Sequence, residues 1–254
     1  MRLKTENEIK ILREGGKRHT LILKKLAWLV KSGTTSQDLE DEAICLIEAN
    51  GDKPAHLNYT PRGAQRPYPA VLCISINDEI VHGIPNEKIK TIQEGDIVSI
   101  DLSVWHRGLV TDAAITVPCG KISEEAKKLL KVTKLALAKG IKEAKPGKHV
   151  GDIGVAISKT VWASGFSLAA DLSGHGVGYD VHEEPFVPNY GVAGKGEKLV
   201  PGMVIAIEPM VNAGTEGIQL TEDGYTIKTR DGSLSAHFEH TVAITEKGNI
   251  ILTQ

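Results

Sequence analysis

The chain has 254 residues, 41% hydrophobic and 24% charged, a globular balance able to bury a sizeable core. Its formal net charge of −2 leaves no basic excess for nucleic acid, and no stretch approaches the roughly 18 apolar residues of a membrane span. Three scattered cysteines (Cys45, Cys73, Cys119) argue against a disulfide framework, and the opening MRLKTENEIKILREGG lacks the apolar run of a signal peptide, so a cytoplasmic, single-domain α/β or α+β protein is expected.

The segment from Thr5 opens with a capping box, Thr5 with Glu8, and continues with apolar residues at helical spacing. A long helix is predicted there, broken by Gly33, and TSQDLEDEAICLIEAN predicts a second, stopped by Gly51. VLCISIND and EIVHGIP read as two strands joined by a tight turn at Asn77–Asp78. DIVSIDLSVWHRGLVTDAAITVPC reads as a further strand pair, with its turn centred between His106 and Arg107. SEEAKKLLKVTKLALAKGIKEA is a capped helix ended by Pro146–Gly147, VGDIGVAISKTVWASG another helix, and short strands and turns follow from Ala169.

The chain also repeats itself. KSGTTSQDLEDEAICLIEANG overlays KPGKHVGDIGVAISKTVWASG, so that Gly33, Asp38 and Gly51 meet Gly147, Asp152 and Gly165. EGDIVSIDLSV overlays PGMVIAIEPMV, with Gly95 on Gly202 and Asp101 on Glu208. One domain over 1–254 is expected, with two pseudo-symmetric halves of about 1–120 and 121–254. A pseudo-twofold axis would bring Asp101 and Glu208 together at its centre.

Asp101 and Glu208 each sit in an otherwise apolar strand, where a lone carboxylate is costly unless it is paired or metal-bound. With the turn between His106 and Arg107, Asp112 falls directly opposite Asp101, about 5 Å away at Cβ. Like charges that close need a cation between them. Glu239, in AHFEHTVAI, is a fourth carboxylate of this kind, and no Lys or Arg lies in MVIAIEPMV. Four carboxylates exceed the needs of one ion and suit two divalent ions roughly 3.5–4 Å apart, which would acidify a shared water and polarise a carbonyl for hydrolysis. With one histidine, the set is oxygen-rich and suits Mn²⁺, Fe²⁺ or Co²⁺ better than a thiolate or all-nitrogen zinc site would. SGHGVGYDVHEEPF supplies two histidines, His175 and His182, among glycines that disfavour helix.

CISINDEIVHGIP, GDIVSIDLSV, TDAAIT, SGHGVGYDVHEEP, IAIEPMVNAG and DGSLSAHFEHT, in this order and spacing, resemble the type I methionine aminopeptidases over nearly the whole chain. The resemblance implies an α+β pita-bread fold, with helices and antiparallel strands repeated about a central dinuclear metal site. It further implies removal of the initiator methionine from nascent chains, with a small second residue preferred. By resemblance, Asp101, Asp112, His175, Glu208 and Glu239 would be the ligands of two divalent ions, Fe, Mn, Co or Zn. Glu208 would also carry a proton, and His82 and His182 would face the substrate and stabilise the intermediate. Cys73, Tyr68 and Tyr225 would line the methionine pocket. A transient ribosome contact, a monomer and no nucleic-acid or membrane partner would follow.

His237 stands where the family usually has glutamine, on the Glu239 face by strand alternation, while His240 should point the other way. His19, His56, His106 and His149 are read as solvated. A prolidase or aminopeptidase P of the same fold is the competing enzyme, but those carry a large extra N-terminal domain for which the residues before Cys73 leave no room. A metal-free binding protein is the non-enzymatic alternative, and it should lack some of the five ligand positions, all of which are filled here.

Overall fold

The computed structural model describes residues 2–61 and 63–254. Helix α1 (Glu6–Leu29) starts as the sequence predicts: the Thr5 hydroxyl oxygen accepts from the Glu8 N–H, and the Glu8 carboxylate accepts from the Thr5 N–H at 2.7 Å. Its inward stripe carries Leu12, Gly16, Ile22, Leu23 and Leu26. Gly16 has no room for a side chain, because a Cβ there would lie 2.2 Å from the Leu252 carbonyl oxygen. Helix α2 (Ser36–Ala49) begins at a second capping box, Thr35 with Asp38.

Five strands follow: β1 (Lys53–Pro54), β2 (Leu72–Ile76), β3 (Glu79–Val81), β4 (Ile97–His106) and β5 (Leu109–Pro118). Then come α3 (Glu124–Glu143) and α4 (Val150–Trp162). The remaining strands are β6 (Ser167–Leu168), β7 (Ser173–Gly176), β8 (Glu183–Pro188), β9 (Val204–Ile207), β10 (Met210–Asn212) and β11 (Ile218–Leu220). They end with β12 (Ile227–Thr229), β13 (Ser235–His237), β14 (His240–Thr245) and β15 (Gly248–Ile251). One sheet joins β1, β2 and β5 to β4, and a five-stranded sheet runs β15-β14-β9-β7-β8. Two three-stranded sheets, β13-β10-β6 and β11-β12-β3, complete the set, and every ladder is antiparallel.

The Asn77–Asp78 turn does not close a two-stranded ribbon. Asn77 takes a left-handed φ of 57°, β2 pairs with β4, and β3 crosses into the sheet with β12. The β4–β5 turn is also displaced from its predicted centre. His106 pairs with Leu109, leaving Arg107 and Gly108 as a two-residue loop with φ of 49° and 83°. Positive φ at both loop residues is the tight hairpin geometry that Gly108 permits. Asp101 therefore stands opposite Ala114 and Asp112 opposite Ser103. The shift is even, so both carboxylates keep one face, but as a diagonal rather than a direct pair.

One core packs α1 and α2 against β2, β4 and β5, through Ile22, Leu26, Leu39, Ile74, Ile100 and Leu102. A second packs α3 and α4 against β8, β9, β10, β13 and β14, through Leu129, Ile153, Ile157, Ile205 and Val242. Gly33 and Gly147, aligned with each other in the sequence, make like backbone contacts in the two. The Gly33 N–H donates to the Ile92 carbonyl at 2.9 Å, and the Gly147 N–H donates to that of Leu199 at 2.9 Å. Among the described residues, no helix is long and apolar enough to cross a membrane.

Candidate active site

The four carboxylates converge because β5 is tied across to β14. The Asp112 N–H donates to the Thr241 hydroxyl oxygen at 2.8 Å, and that hydroxyl donates back to the Asp112 carbonyl at 2.7 Å. One step along, the Glu239 N–H donates to the Ala114 carbonyl at 2.9 Å. Glu208 follows β9, whose Ile207 pairs with His240, so it emerges beside Glu239. Donor atoms of Asp112, His175 and Glu239 all lie within 4.8 Å of one another, as do those of Glu208, His237 and Glu239.

This cluster is buried and one-signed. Asp101, Asp112, Glu208 and Glu239 are 8%, 4%, 9% and 2% exposed, and among the described residues no Lys or Arg pairs with them. Burial, and after it the neighbouring carboxylates, push the acids of Asp101, Glu208 and Glu239 well above the usual range. Burial raises Asp112 to about 7, opposed by the Ser103 hydroxyl and a backbone N–H. Asp101 Oδ1, Asp112 Oδ1 and Glu239 Oε1 are buried without a hydrogen-bond partner. Inward oxygens left bare in an acidic cluster with a neutral imidazole are a donor set that fits divalent metal.

His175 sits at a bulge between β7 and β8, where the register shifts between Gly174 and Gly176. A bulge re-aims its side chain, and here the ring turns toward the carboxylates. A Cβ on Gly174 would come within 2.3 Å of the Ala206 carbonyl oxygen, which is why glycine flanks this histidine. The ring's Nδ1–H donates to the Gly176 carbonyl at 2.9 Å, leaving the Nε2 lone pair 3.3 Å from Glu208 Oε1 and 3.8 Å from Asp112 Oδ2. Burial and the nearby histidines lower its pKa to about 3, so it is a neutral donor, with its orientation fixed by the backbone carbonyl.

A cavity of about 280 Å³ opens onto the cluster. His82 and His182 both line it, as do Tyr68, Cys73 and Tyr225. Tyr68, Cys73 and Tyr225 form one buried group, with the Tyr68 and Tyr225 rings 5.0 Å apart edge to face. His82 has a left-handed φ of 58°, a strained backbone for a side chain of this size. Next to it, a Cβ on Gly83 would lie 2.1 Å from the Ile74 carbonyl oxygen. The His182 ring stacks edge-on to His175 at 4.4 Å, and its Nδ1 lies 2.8 Å from the Tyr59 hydroxyl.

Several predicted histidine environments are corrected. His19, His56 and His106 are buried, not solvated, because each finds a distant partner. His19 Nδ1 lies 3.1 Å from the Thr111 hydroxyl, His106 Nδ1 2.7 Å from Asp52, and His56 Nε2 2.7 Å from the Ser103 hydroxyl. His149 is partly exposed at the start of α4. His240 turns to Thr253 at 3.1 Å. His237 is 1% exposed and turns Nε2 toward Glu208 Oε2 at 3.4 Å. Neither Tyr59 nor His56 carried a sequence signal for its place in the cleft.

The chain belongs to metallopeptidase family M24, whose profile matches residues 10–246, and it has the pita-bread fold. Membership carries with it the use of divalent metal. Within the family the chain belongs with the methionine aminopeptidases: the enzyme of that name from Aquifex aeolicus is 51% identical over 254 residues, covering 99% of this chain and 98% of the relative. A crystal structure of methionine aminopeptidase from Thermotoga maritima matches with a TM-score of 0.95 at 41% identity, covering 100% of this chain and 99% of that one. A prolidase from Pyrococcus horikoshii OT3 matches with a TM-score of 0.77 at 24% identity, covering 99% of this chain and 63% of that one, a likeness of fold alone.

Proposed function

We propose that this protein is a metal-dependent aminopeptidase that hydrolytically removes the N-terminal methionine of nascent proteins, preferring a small second residue. The observation that carries the proposal is the buried cluster of Asp101, Asp112, His175, Glu208 and Glu239, which has bare inward oxygens and opens on a cleft walled by Tyr68, Cys73 and Tyr225. These five side chains would hold two divalent ions. When bound, the metal supplies Lewis-acid polarisation of the scissile carbonyl and an acidified water.

The protein's own groups do the rest. Glu208 divides its two oxygens, Oε1 facing His175 and Oε2 facing His237. That arrangement sets a neutral imidazole beside each carboxylate oxygen, and it suits Glu208 to pass a proton from the attacking water to the leaving amine. His82 and His182 donate to the carbonyl oxygen as charge builds there. Tyr59 fixes the His182 ring: with the phenol donating to Nδ1, the Nε2–H is free for the substrate. The pocket of Tyr68, Cys73 and Tyr225 takes an unbranched apolar side chain, and the edge-to-face tyrosines hold its walls rigid.

We also infer a single catalytic domain of two related halves, about 1–120 and 121–254. We further infer a cytoplasmic monomer that meets its substrate through transient ribosome contact; the three free cysteines are in keeping with that compartment. Assay of Met-Ala-Ser beside Xaa-Pro peptides tests the specificity. Release of methionine from the first is expected, with little turnover of the second, whereas preferential cleavage of Xaa-Pro bonds would overturn the assignment in favour of a prolidase activity.

A further inference from the structure

His56 belongs both to the cleft wall and to the surroundings of the carboxylate cluster. After β1 leaves the edge of β4, the Ala55 N–H donates to the Ser103 carbonyl at 2.9 Å, and His56 folds its ring over the face of the sheet. On that face Cys73 stands opposite Asp101, and Ser103 stands opposite Asp112. The ring spans the two rows: Nε2 lies 2.7 Å from the Ser103 hydroxyl, and Nδ1 lies 3.9 Å from Cys73 Sγ. It is 9% exposed, and its outer edge lines the cavity beside Tyr68 and Cys73.

The direction of these bonds follows from what each partner needs. The Ser103 hydroxyl has one proton and two claimants, an imidazole nitrogen and the Asp112 carboxylate across the ladder. When Asp112 is ionised, as holding metal would require, a hydrogen bond to it is roughly twice as strong as a neutral one, so that carboxylate is the better acceptor for the Ser103 proton. The same hydroxyl favours the ionised form of that carboxyl. The Ser103 oxygen must then accept from His56 Nε2–H, which leaves Nδ1 bare toward the Cys73 thiol, itself kept protonated by burial.

We propose that His56 is a positioning residue for the metal-binding carboxylates: its Nε2–H locks the Ser103 hydroxyl onto Asp112, so that the wall of the substrate cleft and one end of the metal site form a single hydrogen-bonded unit. This rests on the proposal that Asp112 holds divalent metal. Outer partners of metal ligands of this kind are worth about 10–100-fold in metal affinity.

The test is calorimetric titration of chelator-stripped, full-length protein with Mn²⁺, together with the visible spectrum of the Co²⁺-loaded protein. His56→Leu is expected to weaken Mn²⁺ binding about tenfold or more and to shift the Co²⁺ bands. His56→Gln, whose amide N–H reaches the Nε2 position, should stay within about threefold of wild type. Ser103→Ala should weaken binding similarly, and the double variant His56→Leu/Ser103→Ala should be no weaker than the worse single one, since both cut the same chain. If the leucine variant does not fold, His56→Asn replaces it, because its shorter amide cannot reach Ser103. Wild-type affinity in His56→Leu, equal losses in His56→Gln and His56→Leu, or losses that multiply in the double variant would each overturn the proposal. Wild-type protein that binds no divalent cation would overturn the metal assignment as well, so the two failures are distinguishable.

Discussion

Replacing Asp112 with asparagine is expected to stabilise the metal-free protein while abolishing its response to metal. The side chain is 4% exposed, one of its oxygens has no partner, and three other carboxylates are its neighbours. Its acid is lifted from an ordinary 3.8 to about 7, chiefly by burial. At about 1.4 kcal/mol per pH unit, this sets a ceiling of about 4 kcal/mol on the strain released when the charge is removed. Proton sharing and relaxation among the neighbours should leave about half. For a chain of this length that is roughly 4–8 °C in Tm. The sign follows from linkage: the folded-state pKa is raised, so between about pH 4 and pH 7 the folded protein holds a proton that the unfolded chain has lost. Stability of the metal-free wild type therefore falls as pH rises through that window, and the advantage of Asp112→Asn opens across it. Thermal melts of chelator-dialysed protein at pH 5 and pH 8 measure this. A variant less stable than wild type at pH 8, or a gap of the same size at both pH values, would show that the buried Asp112 charge is not a source of strain. Added Mn²⁺ should reverse the order, because only the wild type gains from binding.

Further outcomes follow from individual contacts. His237→Leu should lower kcat about tenfold by freeing the Glu208 oxygen that His237 faces at 3.4 Å, and His237→Gln should restore most of it; equal rates in both variants would argue that the ring only fills space. Tyr59→Phe, which removes the hydroxyl 2.8 Å from His182, should cut kcat/KM about 3–10-fold with melting temperature unchanged, as steady-state kinetics and melts would show. Gly16→Ala should cost about 1–3 kcal/mol, because its Cβ would meet the Leu252 carbonyl oxygen at 2.2 Å, and an unaltered melt would contradict the packing of α1 on the segment that follows β15.

What could be read from the sequence was local. Capping boxes at Thr5 and Thr35 and helical spacing placed α1 and α2, and the carboxylates stood out because each interrupts an apolar strand. The repeat of Gly33 at Gly147 and Gly95 at Gly202 was equally visible, and all four glycines take left-handed backbones. Long-range pairing was not visible. His19, His56 and His106 look like surface histidines until partners 92, 47 and 54 residues away take up their nitrogens. The β4–β5 register depended on whether Arg107 begins the turn or follows its centre, and only the backbone of Arg107 and Gly108 settles that. The positive φ of His82 carries no sequence mark, since nothing in VHGIP requires it except the glycine that follows.

The most direct test of the central claim is peptide hydrolysis under metal control. Protein stripped by chelation and then given Mn²⁺, Fe²⁺, Co²⁺ or Zn²⁺ in turn would be assayed for methionine release from Met-Ala-Ser. No release is expected from the stripped protein, with restoration by at least one of these ions and none when Asp101, Glu208 or Glu239 is replaced by its amide. Full activity in the stripped protein, or none with any ion, would contradict that claim.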